Sequence, residues 1–187
     1  MNIVNNAHGH PSAHEVEEIV SQYIPAPVVS FLVSAGIRIV PLGEGMRFAE
    51  ASPALRKYGI DVDQWFLRPS GLFVVDEKTV YAGSFSALTI IHELGHGFDC
   101  ALGDGLYLSG LSGSIRRAYA DAKFFVTPYA GSGVDEFFAE GFRAYFGAND
   151  AVCPWPTVTR ARLEKSSPAL LEFFDETFAK IEREQRA

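Results

Sequence analysis

Cysteine is scarce. Cys100 and Cys153 are the only two in 187 residues, so no disulfide framework can staple the fold. The pair suits a reducing compartment, and at most one bridge between them is open. Basic residues are outnumbered, 16 against 23 acidic ones, giving a net charge of −7. That balance excludes the positive stripe a phosphate backbone needs, so nucleic acid is not an expected partner. No apolar run reaches the roughly 18 residues that span a bilayer, and no membrane partner is expected. Met1-Asn2-Ile3-Val4-Asn5-Asn6 shows neither the basic stretch nor the apolar core of a signal peptide. A cytoplasmic protein is therefore the expectation, although export without a cleaved signal would leave no trace of this kind.

What is abundant is core material. Hydrophobic residues make up 48% and aromatics 13%, with 15 phenylalanines, enough for one domain spanning 1–187. Residues 1–11 read as a mobile N-terminus. Ser12 and Glu15 form a capping-box pattern opening a helix to about Tyr23. Val28 to Ala35 reads as a short apolar helix ended by Gly36, and Ile37-Arg38-Ile39-Val40 as a strand stopped by Pro41. A helix over 46–58 is interrupted by Pro53. Leu72–Val75 and Thr79–Tyr81 then frame a tight hairpin around Asp76-Glu77-Lys78. Helices follow at about 86–102, 114–126 and from a second capping box at Ser132 and Asp135 to Gly147. Pro154-Trp155-Pro156 reads as a rigid connection before an amphipathic helical tail. Few strands early and helices late give an α+β class.

One motif carries chemistry. In His92-Glu93-Leu94-Gly95-His96 the histidines stand one helical turn apart and about 40° round the axis, so both rings reach one ion. Neutral imidazole is a good zinc ligand. Glu93 lies about 100° further round, beside the ion, where a base takes a proton from water. Leu88, Ile91, Leu94 and Phe98 make this helix apolar nearly all round and therefore buried. Two histidines and a glutamate are costly there unless a metal satisfies them. Gly95 and Gly97 each weaken a helix by about 1 kcal/mol relative to Ala, which close approach by another element would explain.

Two histidines need a third protein ligand and an open position for water. His8, His10 and His14 sit in or beside the loose N-terminus and suit adventitious metal at most. Glu136 and Glu140 are better placed, one turn apart on a mostly buried helix. Spacing does not choose between them. Either is a candidate ligand, with the other then holding a histidine.

His92-Glu93-Leu94-Gly95-His96-Gly97-Phe98-Asp99, followed by Glu136-Phe137-Phe138-Ala139-Glu140-Gly141-Phe142-Arg143, resembles the anthrax lethal factor type of metallopeptidase, whose layout the secreted clostridial Pro-Pro endopeptidases share. The likeness is strong over about residues 86–147, and the catalytic core would lie within about 70–150. It implies a zincin-like fold with a small mixed sheet beside the zinc helix. It also implies Glu136 as the third zinc ligand and Tyr129, seven residues earlier, as the catalytic tyrosine. Asp99 matches the pattern too, orienting a ligand ring or tying down the following loop, and Glu140 would then support a ligand without binding the ion. Unlike the secreted members the chain shows no signal peptide, and unlike the toxin no receptor-binding domain. Preference for prolines or kinase tails is therefore not carried over.

The expected activity is zinc-dependent hydrolysis of a peptide bond in a peptide or protein substrate, with Glu93 as general base and Tyr129 as oxyanion donor. Zinc is chosen over other divalent ions on ligand type. Thr79 to Gly83 is the expected edge strand for an extended substrate. The rival readings are a metal-holding regulatory protein with little proteolysis and the catalytic domain of a delivered toxin or effector.

Overall fold

The β-branched run after Gly36 does form a strand, β1 (Arg38–Pro41), and the hairpin forms β2 (Gly71–Val74) and β3 (Thr79–Ala82). The structure is a computed structural model describing residues 2–5, 12–149 and 158–186. The sheet order is β1-β3-β2, with β3 parallel to β1 and antiparallel to β2. This corrects the edge-strand expectation: β3, which is most of 79–83, is paired on both sides and wholly buried. A hairpin strand is internal whenever its second side finds a partner, and apolar β1 supplies one.

The outer side of β1 is met by Val4, as Asn5 N–H donates to the Ile39 carbonyl at 2.8 Å and Ile39 N–H to that of Ile3 at 2.9 Å. Residues 3–5 are thus pinned to the sheet, against the expectation of a loose N-terminus. Residues 6–11, with His8 and His10, lie outside the described residues, as do Cys153 and the Pro154-Trp155-Pro156 connection. The open edge among the described residues belongs to β2.

In chain order the helices are α1 (Ala13–Tyr23), α2 (Ala26–Ser34), α3 (Phe48–Ala51), α4 (Pro53–Tyr58), α5 (Ala87–Leu102), α6 (Leu108–Leu111), α7 (Gly113–Ala120), α8 (Val134–Phe146), α9 (Arg160–Ser166) and α10 (Pro168–Arg186). The period of two along the strands sorts side chains into two cores. Ile39, Phe73, Val80 and Ala82 join the large core with α1, α2, α5, α8 and α10, while Val40, Val74 and Tyr81 join a smaller one with Phe48 and Leu55 of α3 and α4. No single described helix is long and apolar enough to cross a membrane. This is the α+β arrangement expected, with the helical half C-terminal to the sheet.

Two local expectations fail for one reason. Ser12 (φ −79°, ψ 4°) and Ser132 (φ −80°, ψ −22°) are not extended, as a capping residue must be, so neither capping box forms. Ser132 instead donates to the Tyr129 carbonyl at 2.6 Å, and Gly133 precedes α8. The helix expected over 114–126 stops at Ala120. Beyond it the chain bonds elsewhere: Arg162 Nε donates to the Val126 carbonyl at 2.7 Å, and Phe125 packs on Tyr119 and Phe137. Tertiary partners override local propensity there.

The helical half is held by aromatics. Phe98 of α5 meets Phe142 of α8 at 5.1 Å and Phe178 of α10 at 5.2 Å between centroids, and each such pair adds about 0.5–1.5 kcal/mol beyond its buried area. The α5–α8 crossing is close because Gly95 stands at it. A Cβ there would lie 2.8 Å from Ala139 Cα and 3.0 Å from its carbonyl oxygen. Helix propensity alone makes Gly95→Ala stabilising by about 1 kcal/mol, whereas overpacking against backbone costs about 1–3 kcal/mol. Packing should win: Gly95→Ala is expected to melt at a lower temperature than wild type and to bind metal more weakly. An equal or higher Tm would show that the crossing gives way easily.

Candidate active site

Burial decides what α5 and α8 present to each other. Ser86 Oγ accepts the Thr89 N–H at 3.1 Å and starts α5, whose Ile90, Ile91, Leu94 and Phe98 are fully buried. On α8, Phe137, Phe138 and Phe142 fill the core. The polar residues left between them are His92 and His96 from α5 and Glu136 and Glu140 from α8.

Their geometry resolves the choice that spacing left open. Glu136 Oε2 lies 3.1 Å from His92 Nε2 and 3.3 Å from His96 Nε2. Glu140 Oε1 lies 2.8 Å from the other nitrogen of His92, Nδ1. A carboxylate only accepts, so His92 Nδ1 carries hydrogen, and it is Nε2 that faces Glu136. His92, His96 and Glu136 offer three ligand atoms within 4.8 Å of one another, and Glu136 Oε2 is buried without a hydrogen-bond donor. Two imidazole nitrogens and one carboxylate oxygen converging on a point repel unless a proton or cation joins them. Burial alone would lower the His92 pKa, but the Glu136 and Glu140 carboxylates outweigh it and raise it to about 10. The same histidines hold Glu136 far below the usual carboxylate range against its burial. The site wants a cation, and its donor set suits zinc with a position left open.

Glu140 is anchored firmly. It is 3% exposed and accepts from Thr127 Oγ1 at 2.7 Å, Arg143 Nε at 3.0 Å and Arg143 Nη2 at 2.9 Å. Burial pushes its pKa up, but the His92 hydrogen bond and Arg143 hold it near about 2. Sequence reasoning gave no role to Thr127 or Arg143. The available signal was an arginine three residues after a glutamate on a buried helix, a spacing that pairs them.

Tyr129 opens a short 3₁₀ turn, Tyr129–Gly131, and donates its hydroxyl to Glu136 Oε1 at 2.8 Å. Its ring is 5.6 Å from that of His92 and half exposed. Burial and then the Glu136 hydrogen bond raise its pKa well above the ordinary phenol value, so it stays a donor. Of the two roles expected for Asp99, the structure provides the loop tie: Oδ1 accepts the Ser109 N–H at 2.8 Å and Oδ2 its hydroxyl at 2.5 Å. It orients no ligand ring, since His96 Nδ1 is buried without a partner. The tied loop lays Tyr107 against the His96 ring, 5.6 Å between centroids. His14 is apart from all this, exposed on α1 beside Glu18.

Glu93 is half-buried and turned toward the open sheet edge. A Cβ on Gly71 would meet Glu93 Cγ at 2.8 Å and Thr89 Cγ2 at 2.6 Å. Only glycine lets β2 pass this close to α5, a requirement invisible before the strand was placed. The Gly83 N–H donates to the Ser70 carbonyl at 2.9 Å, so Leu72 and Val74 form the hydrogen-bonded pairs with β3. Antiparallel alternation then turns the N–H and C=O groups of Gly71 and Phe73 outward.

No protein-family model matches the chain, and no curated protein sequence does. Solved structures do: the PRO-PRO endopeptidase PPEP-2 from Paenibacillus alvei superimposes with a TM-score of 0.62 over 94% of this chain and 97% of that one, at 20% sequence identity. The chain has the Pro-Pro endopeptidase fold. On that fold the small sheet, the histidine helix α5 and the helical half occur together, and His92, His96 and Glu136 form a metal-ready cluster on it.

Proposed function

We propose that this protein is a zinc-dependent endopeptidase. The observation that carries the reading is the convergence of His92 Nε2, His96 Nε2 and Glu136 Oε2 on one point, beside a free carboxylate, Glu93, on a fold shared with a Pro-Pro endopeptidase. His92, His96 and Glu136 would hold the zinc ion, which would supply Lewis acidity and make water available as a nucleophile near neutral pH.

The chain's own groups do the rest. Glu93 takes the proton of the attacking water at its carboxylate and returns it to the departing amine. Tyr129 exchanges its hydrogen bond to Glu136 for one to the developing oxyanion. Glu140 keeps His92 in the tautomer whose Nε2 is a ligand. The substrate would lie extended along β2, where Gly71 and Phe73 offer outward N–H and C=O groups, a reading favoured over β3 because β3 is paired on both sides. A peptide or protein is therefore the partner.

Turnover of a peptide library by the zinc-loaded protein, run beside Glu93→Gln, tests the reading; zinc binding without any cleavage would favour a metal-holding regulatory protein. Tyr129→Phe is expected to keep zinc and lose about 10²–10³ in kcat. An unchanged rate would reduce Tyr129 to a packing residue.

A further inference from the structure

Tyr129 stands on a turn too short to hold itself. The turn is a single 3₁₀ element, Tyr129–Gly131, and the tyrosine ring is half exposed. The hold nearest the tyrosine lies two residues upstream. Thr127 is 1% exposed, and its hydroxyl has two partners. It donates to Glu140 Oε2 at 2.7 Å and accepts the Ala130 N–H at 3.1 Å. Pro128 between them has φ −58°, which its ring enforces. The start of the turn is therefore moored through the Thr127 hydroxyl to a carboxylate that Arg143 grips by both oxygens and His92 by one, while its far end is held by the Tyr119 hydroxyl, which donates to the Gly131 carbonyl at 2.8 Å.

We propose that Thr127 is the positioning residue for Tyr129, aligning the tyrosine hydroxyl with the ligand His92 through their common anchor, Glu140. The inference rests on the peptidase reading for its kinetic consequence, but not for its geometry. Anchoring matters because a donor must already stand where negative charge develops, and a misplacement of about 1 Å costs roughly a hundredfold. Thr127 touches no reacting atom. It acts by keeping two groups from different segments in one frame: His92 from α5 and Tyr129 from the turn before α8.

A double-mutant cycle tests this. Thr127→Val keeps the shape and removes both hydrogen bonds, and Thr127→Ser restores the hydroxyl. Thr127→Val is expected to lower kcat roughly ten- to a hundredfold, with KM and zinc stoichiometry close to wild type. Thr127→Ser is expected to retain most of the rate. In a Tyr129→Phe background, where no phenol remains to position, Thr127→Val should cost little more. An equal loss in both backgrounds would overturn the proposal and make Thr127 a support for Glu140 and His92 alone, and full activity of Thr127→Val would overturn it too. Thr127→Ala carries the same cycle if valine prevents folding. Should the wild type cleave no peptide, amide exchange at Ala130 in the zinc-loaded protein still decides: faster exchange in Thr127→Val and wild-type protection in Thr127→Ser support the mooring, and unchanged protection in Thr127→Val refutes it.

Discussion

Glu93→Gln is expected to bind zinc like the wild type and to hydrolyse peptides about 10²–10⁴ times more slowly, the range a positioned general base contributes. The amide has the size of the carboxylate, so the close passage of Gly71 over Glu93 is kept. The ligand atoms at His92, His96 and Glu136 are untouched. What disappears is the ability to accept a proton, because an amide oxygen is a very weak base. Metal analysis of purified protein combined with library turnover separates the effects. Full activity would remove Glu93 from the mechanism, and loss of zinc would make it a ligand.

The second large effect separates the two glutamates of α8. Glu136→Ala removes the one carboxylate oxygen shared by both Nε2 atoms, and zinc is expected to be lost at equilibrium. Glu140→Ala leaves all three ligand atoms in place. It is expected to weaken zinc about 10–100-fold, as the loss of a ligand's hydrogen-bond partner usually does. It also strips Arg143, 1% exposed, of the carboxylate that holds its guanidinium. Breaking a buried pair from one side costs about 3–5 kcal/mol, so Glu140→Ala should be far less stable than Glu136→Ala when both are metal-free. Adding a chelator should lower the Tm of wild type and leave that of Glu136→Ala unchanged, since only a metal bound to the folded state adds stability. Retained zinc in Glu136→Ala, with loss in Glu140→Ala, would exchange their roles.

Much of this architecture was legible in the chain. The apolar surround of His92–His96 implied a buried helix, and both histidines are among its twelve buried residues out of sixteen. The cost of Gly95 implied a close neighbour, which proved to be Ala139 on the helix carrying Glu136. Hairpin, interrupted helix at Pro53 and helical tail were readable because each depends on neighbours in sequence. The capping boxes at Ser12 and Ser132 were misread because a capping side chain works only from an extended backbone, and tertiary contacts set that backbone.

The sequence by itself determined the chemistry on offer at α5: two imidazoles one turn apart, a carboxylate beside them, and an apolar surround that buries most of the helix. That follows from the 3.6-residue period, which fixes side chains relative to one helix axis. Only the tertiary structure decided which of Glu136 and Glu140 faces the ligand nitrogens, that Thr127 and Arg143 anchor the other, and that β2 and not β3 is the open edge. Each of these joins residues on different elements. Local periodicity carries no information about how two helices are rotated against each other, or about which side of a hairpin a third strand will take.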